Sequence, residues 1–378
     1  MRQQRSNGEA LPLNLGLQGG GAHGAFTWGI LDRLLEEKSI TFNAVSGTSA
    51  GAMNGAALIS GLAHGGRDGA RQALEAFWRG VSHRGRFAPT NIASAQAAFG
   101  ALGIDAAALQ PFLGAGMQLF SPYDFNPAGF NPLRKVIRDT IDLEAIAQSP
   151  IAFFVTATHV GSGDARVFAN DEIGADTLLA SACLPTLFHA VEIDGESYWD
   201  GGYTGNPSLM PLVHETGASD LLIVQTSPTT WSEAPLNARQ IALREKEISF
   251  NAPLIRELRF LAELKRQAGA GSAQRRPGGS SALSVLGGRR EKYGKNGNHP
   301  ISDLRLHRIT GEEMDGHSSQ SKLNSTWQFL KDLREAGRRT AERFLADHGT
   351  DLGQRSTLDL TQWLHNPQRA VPRTARVS

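Results

Sequence analysis

Ser49 lies in Gly47-Thr48-Ser49-Ala50-Gly51, a G-x-S-x-G string, and Gly19-Gly20-Gly21-Ala22-His23-Gly24 precedes it by about the length of a helix. Free serine is a weak nucleophile. It needs a base to take its proton and preorganised donors for the negative charge that develops on the substrate. The G-x-S-x-G string can hold a serine on a sharp strand-to-helix turn with its hydroxyl exposed, and glycines flank it because side chains would clash where strand and helix approach. A run of glycines can aim backbone N–H groups at an oxyanion. These are two of the three parts an acyl hydrolase needs. The base must come from further along the chain. Asp200-Gly201-Gly202 follows a hairpin-like stretch, residues 192–199, that would deliver Asp200 at a strand end with room for close backbone approach after it. A Ser-His-acid arrangement wants a histidine after the acid in chain order. His214, His299, His307, His317, His348 and His365 follow Asp200, and none has a telling local context.

The surrounding pattern supplies elements that could hold these groups. Residues 11–18 read as a short apolar strand stopped by the glycines. Residues 25–37 carry Phe26, Ile30, Leu31, Leu34 and Leu35 on one helical face, and a second strand is expected around residues 42–46. Residues 50–60, apolar and rich in small side chains, suit a helix packed under a sheet, so Ser49 falls on a strand–turn–helix. Residues 66–81 predict another helix with Leu74, Phe77 and Trp78 inward. Residues 90–122 are charge-poor and read either as core helices or as a cap over the site. Residues 151–160 form a strong strand with 166–169 as its partner across a turn, and 221–226 are a further buried strand. Residues 233–267 read as an amphipathic helix and 301–309 as a strand. Residues 322–348 read as a helix with Leu323, Trp327, Leu330 and Phe344 inward. Strands alternating with helices predict an α/β sheet covered on both faces.

The glycine run has a competing reading. Gly19-x-Gly21-x-x-Gly24 after a strand also fits the dinucleotide fingerprint, which wants an acidic residue at the end of the second strand to hold the ribose. That place is taken by Ser46-Gly47-Thr48-Ser49, and Glu36 and Glu37 come too early.

Taken in order, the glycine loop, the serine string and Asp200-Gly201-Gly202 resemble the patatin-like phospholipase family, as does Ala180-Ser181-Ala182-Cys183-Leu184-Pro185. The resemblance runs from about residue 11 to residue 226. It implies a three-layer α/β/α sandwich with a mostly parallel central sheet and, in this chain, a helical C-terminal extension. It implies a Ser-Asp dyad in place of a triad: Ser49 as nucleophile, Asp200 as direct proton acceptor, and the backbone of Gly19, Gly20 and Gly21 as oxyanion hole. His23, Gly24, Gly47, Gly51, Gly201 and Gly202 would support these motifs. The implied substrate is a lipid or other fatty-acyl ester, with no cofactor and no metal. The alternatives are an acyltransferase using the same dyad and a lipid-binding or regulatory protein with little turnover. The family usually has Arg where this chain has His23. A histidine there either supplies a titrating charge or only positions the loop.

At 378 residues with a formal charge of +1, the chain can bury a large core and offers no global field for nucleic acid. Its single cysteine, Cys183, excludes an internal disulfide and suits a reducing compartment. With no signal-peptide pattern and no membrane-spanning run, the expected location is the cytoplasm, free or peripherally at a membrane. The expected organisation is a flexible start (1–10), a catalytic domain (11–226), a mainly helical extension packed on it (227–365) and a disordered tail (366–378). Within the extension, residues 266–298 carry seven Lys/Arg against Glu291 and read as a mobile basic loop. This loop and the charge-poor 90–122 stretch are the candidates for membrane docking. Oligomeric state is left open.

Overall fold

The computed structural model describes residues 10–85, 121–227, 234–271, 301–311 and 319–360. The 90–122 stretch apart from Ser121 and Pro122, most of the basic loop, residues 1–9 and the 366–378 tail lie outside the described residues.

The core of the fold is a sheet in the order β5-β6-β3-β2-β1-β7-β8, with β4 also paired to β3. Strands β1 (Leu11–Leu17), β2 (Ile40–Gly47), β3 (Ala152–His159), β7 (Asp220–Gln225) and β8 (Arg305–Thr310) run parallel. Strands β4 (Ala165–Ala169), β5 (Val191–Ile193) and β6 (Glu196–Asp200) are antiparallel additions. The parallel strands are apolar on both faces because both are covered. On one face, α1 (Gly24–Leu34), α2 (Ala50–Gly85) and α9 (Trp327–His348) pack against Leu13, Leu15, Leu17, Leu222 and Val224. On the other, α7 (Met210–His214) and α8 (Ala238–Gly271) close over Ala44, Phe154, Leu221 and Ile223. Four shorter helices complete the described residues: α3 (Pro122–Phe125), α4 (Pro132–Thr140), α5 (Leu143–Ala147) and α6 (Ala175–Ser181).

The helices expected at 50–60 and 66–81 are both present, as two segments of α2 that meet at a kink where Gly65 and Gly66 leave the helical region, Gly66 at φ 57°. One helical reading is refined. The helix expected from residue 322 begins at Trp327. Residues Ser319–Leu323 instead form a 3-10 turn and Leu323 is exposed, because that turn faces the glycine loop and not the core.

Helix α9 is fastened to α1. Side chains at Gly29 and Gly337 would run into the opposing helix's backbone at Arg334 and Phe26, so the two helices cross at near-contact distance. Buried Asp32 on α1 accepts from Arg71, Arg334 and Arg338, and Arg334 also stacks over Trp28. Together these guanidinium groups hold the Asp32 carboxyl below its usual range against the opposing effect of burial.

Candidate active site

Two parallel strands end at the same level. Leu17 closes β1 beside Gly47 of β2, so the glycine run and the serine string emerge side by side. The glycines make this possible. A Cβ on Gly51 would collide with the Leu17 carbonyl, and one on Gly47 would lie 2.7 Å from the Gly51 and Ala52 backbone. Strand and helix meet there with no room for a side chain.

Asp200 arrives by a different route. Strand β2 leaves β3 at Gly47, opposite Val155. Strand β4 occupies the other edge of β3 over residues 154–158, so β6 must take the edge that β2 vacates. It ends with Asp200 opposite Ala157, beside the serine turn. The hairpin expected at 192–199 is the β5–β6 pair. Gly201 is required by packing, since a Cβ there would strike the Thr156 carbonyl and lie 3.0 Å from Thr48 Cγ2.

Ser49 sits at φ 55°, a left-handed conformation that costs a non-glycine residue free energy and persists only when neighbours impose it. Its N–H donates to Ser181 Oγ at 2.9 Å. The neighbouring Thr48 hydroxyl donates to the Gly205 carbonyl at 2.6 Å. The Ser49 side chain stands near enough to the Asp200 carboxyl to favour its ionised form. That carboxyl is 1% exposed and accepts the Gly202 N–H at 2.8 Å. Among the described residues no cation pairs with it, and burial pushes it up to about 7 against the opposing influence of the Gly202 N–H and the Ser49 hydroxyl.

The glycine loop is pinned against the serine. A Cβ on Gly19 would fall 2.8 Å from the Thr48 carbonyl and 2.9 Å from Ser49 Cβ. The Gly19 N–H donates to Asn206 Oδ1 at 2.7 Å, and the Gly19 carbonyl accepts from Thr226 Oγ1 at 3.0 Å. Gln18 Oε1 accepts the N–H groups of Thr226 and Ser227, and its Nε2 donates to Asn251. Gly20 precedes a 3-10 turn, Gly21–His23, which runs into α1. Gly21 has φ 58°, and the loop's N–H groups therefore lie at the start of a helical run, where backbone dipoles favour an anion. Gly24 faces Ala50 at the start of α2, where a Cβ would lie 2.6 Å from that side chain.

His23 turns away from this centre. Its ring is 3% exposed, Nε2 lies 2.7 Å from Ser321 Oγ, and Phe329 stands 6.4 Å off centroid to centroid. The geometry is that of a tether to the C-terminal region. Of the histidines after Asp200, His307 is engaged with Asp220 and His348 with Asp351. His299, His317 and His365 lie outside the described residues.

Sequence reasoning missed Asn206, Ser181, Gln18, Asn251 and Lys322 as parts of this site. Gln18 carried a signal, since it is a polar residue that ends an apolar strand immediately before the glycine run. The others reach the site only through tertiary contact.

The G-x-S-x-G turn and the glycine loop thus meet at the C-terminal edge of the parallel strands. The sequence matches the Patatin family profile, described as patatin-like phospholipase, over residues 15–213. The chain belongs to the patatin-like phospholipase family and is at family level a lipid acyl hydrolase. Among solved structures it is similar to VipD from Legionella pneumophila at 15% identity and a TM-score of 0.40, over 90% of this chain and 67% of that one. That likeness is too loose to bear on the site. No curated protein matches the sequence. Among the described residues no helix is long and apolar enough to cross a membrane, and no group of three or more His, Cys, Asp and Glu could hold a metal ion.

Proposed function

We propose that the protein hydrolyses carboxylic esters of lipids through a Ser49–Asp200 dyad and a covalent acyl-enzyme. The observation that carries this reading is the nearness of the Ser49 hydroxyl to a buried carboxyl with no cationic partner among the described residues. A carboxylate held near 7 is a far better proton acceptor than one at its ordinary value, and it still ionises at neutral pH.

Ser49 Oγ attacks the ester carbonyl carbon while its proton passes to Asp200. The carbonyl π electrons move onto oxygen, and the resulting oxyanion is met by backbone N–H groups of the glycine loop. Because the Gly19 N–H is committed to Asn206, Gly20 and Gly21 are the loop's donors. Collapse reforms the carbonyl and breaks the bond to the leaving alkoxide, which takes the proton from Asp200. Water then attacks the acyl-enzyme, again giving its proton to Asp200. The second collapse releases the carboxylic acid and returns the proton to Ser49.

The test is fluorophosphonate labelling together with hydrolysis of a short p-nitrophenyl ester, on wild type, Ser49→Ala and Asp200→Asn. Labelling lost in Ser49→Ala, with turnover lost in both variants, supports the dyad. Folded wild type that neither labels nor turns over would leave a lipid-binding protein as the better reading. Products esterified to an acceptor other than water would make it an acyltransferase.

A further inference from the structure

We propose that Lys322, with Ser321 beside it, is a positioning residue for the glycine loop, so that the catalytic unit extends beyond the family-matched residues into the C-terminal region. The inference rests on the acyl-hydrolase reading and deepens it.

Three contacts converge on the loop from the 3-10 turn Ser319–Leu323. The Lys322 carbonyl lies against Gly21, so closely that a Cβ there would sit 2.5 Å from it. Ser321 Oγ meets the His23 ring at 2.7 Å. Lys322 Nζ donates to Ser227 Oγ at 3.0 Å. Ser227 in turn gives its N–H to Gln18 Oε1, immediately before Gly19. The turn therefore grips the loop from both ends, at Gln18 through Ser227 and at Gly21 and His23 directly.

The grip falls on the residues that matter most for charge. Gly21 is in the left-handed region, and the direction of its N–H is set by that conformation. A glycine-rich loop has little stiffness of its own, so its donors are preorganised only if something outside imposes the geometry. Asn206 does so for Gly19. For Gly21 and the 3-10 turn it opens, the body against it is the Ser321-Lys322 backbone. Lys322 also brings an ammonium group out of water for this bond. Burial pushes its pKa down, with Glu247 acting in the opposite direction. A lysine held at a cost of this kind, against a loop built to meet an anion, is explained by service to the loop.

The test uses full-length protein whose Ser49 is first shown to label with fluorophosphonate. Lys322→Met and Ser227→Ala each remove the Nζ–Oγ bond, and Lys322→Arg keeps a cationic donor. Each of the first two should lower kcat for the p-nitrophenyl ester by about 10-fold to 100-fold, with KM within about twofold, as expected for misaligned donors. The double variant should be no worse than the worse single one, because both cut one bond. Lys322→Arg should recover most of kcat. Unchanged kcat in folded Lys322→Met and Ser227→Ala, even with a lowered Tm, would overturn the proposal and leave Lys322 a packing residue. If Lys322→Met fails to fold, Ser227→Ala alone decides by the same kcat criterion. A wild type that does not label defeats the underlying reading, whereas labelled wild type with insensitive variants defeats only this one.

Discussion

Asp200 and Asp220 are each 1% exposed and each sits at the end of a strand in the same sheet, yet their surroundings push them in opposite directions. Asp200 closes β6 at the catalytic edge. Its polar neighbours are a hydroxyl and a backbone N–H, neither of them charged, and burial raises it to about 7. Asp220 opens β7 at the far edge. It takes a two-pronged contact from Arg305, with Nη2 at 2.6 Å, and further bonds from His307 Nε2 at 3.1 Å and the Gly353 N–H at 2.7 Å. Those donors outweigh burial and hold it at about 2. Burial alone therefore says little about what a carboxylate does. The sign of its neighbours decides whether it can exchange a proton near neutrality or serves as a permanent anion that locks β8 and the 351–358 segment to the sheet.

The largest effects should separate these roles. Asp200→Asn should lower p-nitrophenyl ester turnover by about 10⁴-fold while leaving circular dichroism unchanged and Tm at pH 8 equal or higher. Asp220→Asn should do the reverse, losing about 3 kcal/mol in urea denaturation with turnover per folded molecule retained. Loss of turnover in folded Asp220→Asn would break the contrast. Next in size is Asn206→Ala, which frees the Gly19 N–H and should cost on the order of 10² in kcat with little change in KM. The pH profile follows. Wild-type kcat/KM should climb about tenfold per pH unit below the Asp200 pKa of about 7 and level off above it. A profile still flat down to pH 5 would mean that Asp200 is not the titrating base.

Stability should respond more gently to pH, and with opposite signs at the two residues. Asp200 is raised from 3.8 to about 7, so the folded state binds the extra proton in that window. Its contribution is fully present below pH 4 and lost as pH rises through about 7, an amount on the order of 4 kcal/mol. Asp220 is lowered from 3.8 to about 2, so its contribution is present above pH 4 and lost as pH falls through 2, about 2 kcal/mol in size. In urea titrations, the stability difference between Asp200→Asn and wild type should therefore widen from pH 4 to pH 8. The smallest expected effect is none. Cys183 lies next to the Asp200 backbone with its thiol donating to the His189 carbonyl, and burial pushes it up to about 12. Iodoacetamide at pH 8 should leave it unmodified until the protein unfolds.

What the sequence discloses about this contrast is uneven for a physical reason. Ser49, the glycine loop and Asp200-Gly201-Gly202 are legible because steric demands at tight turns are local, and each motif is short and contiguous. The α/β alternation is legible through hydrophobic periodicity. Asp220 is not, since nothing in Ser219-Asp220-Leu221 reveals that Arg305 and His307 will lie across from it on the adjacent strand. Ser181 falls in a segment that carries the family resemblance, but its role is hidden for the same reason: it is a bond to a backbone N–H 132 residues away. Leu323 misleads, because its apolar side chain continues a helical pattern that the 3-10 turn interrupts.

The crossing of α1 by α9 has a consequence for when activity can appear. Helix α1 carries the glycine loop at its start; its Gly29 surface packs against residues 334–338, and Asp32 takes two of its three guanidinium partners from there. During vectorial synthesis the serine, the aspartate and the glycines all leave the ribosome long before those partners do. A nascent chain stalled ahead of Trp327 should accordingly fail to react with fluorophosphonate, and reactivity should arise only as α9 docks. The order of the chain then works as a timer that keeps the site shut until residues 327–348 have been made.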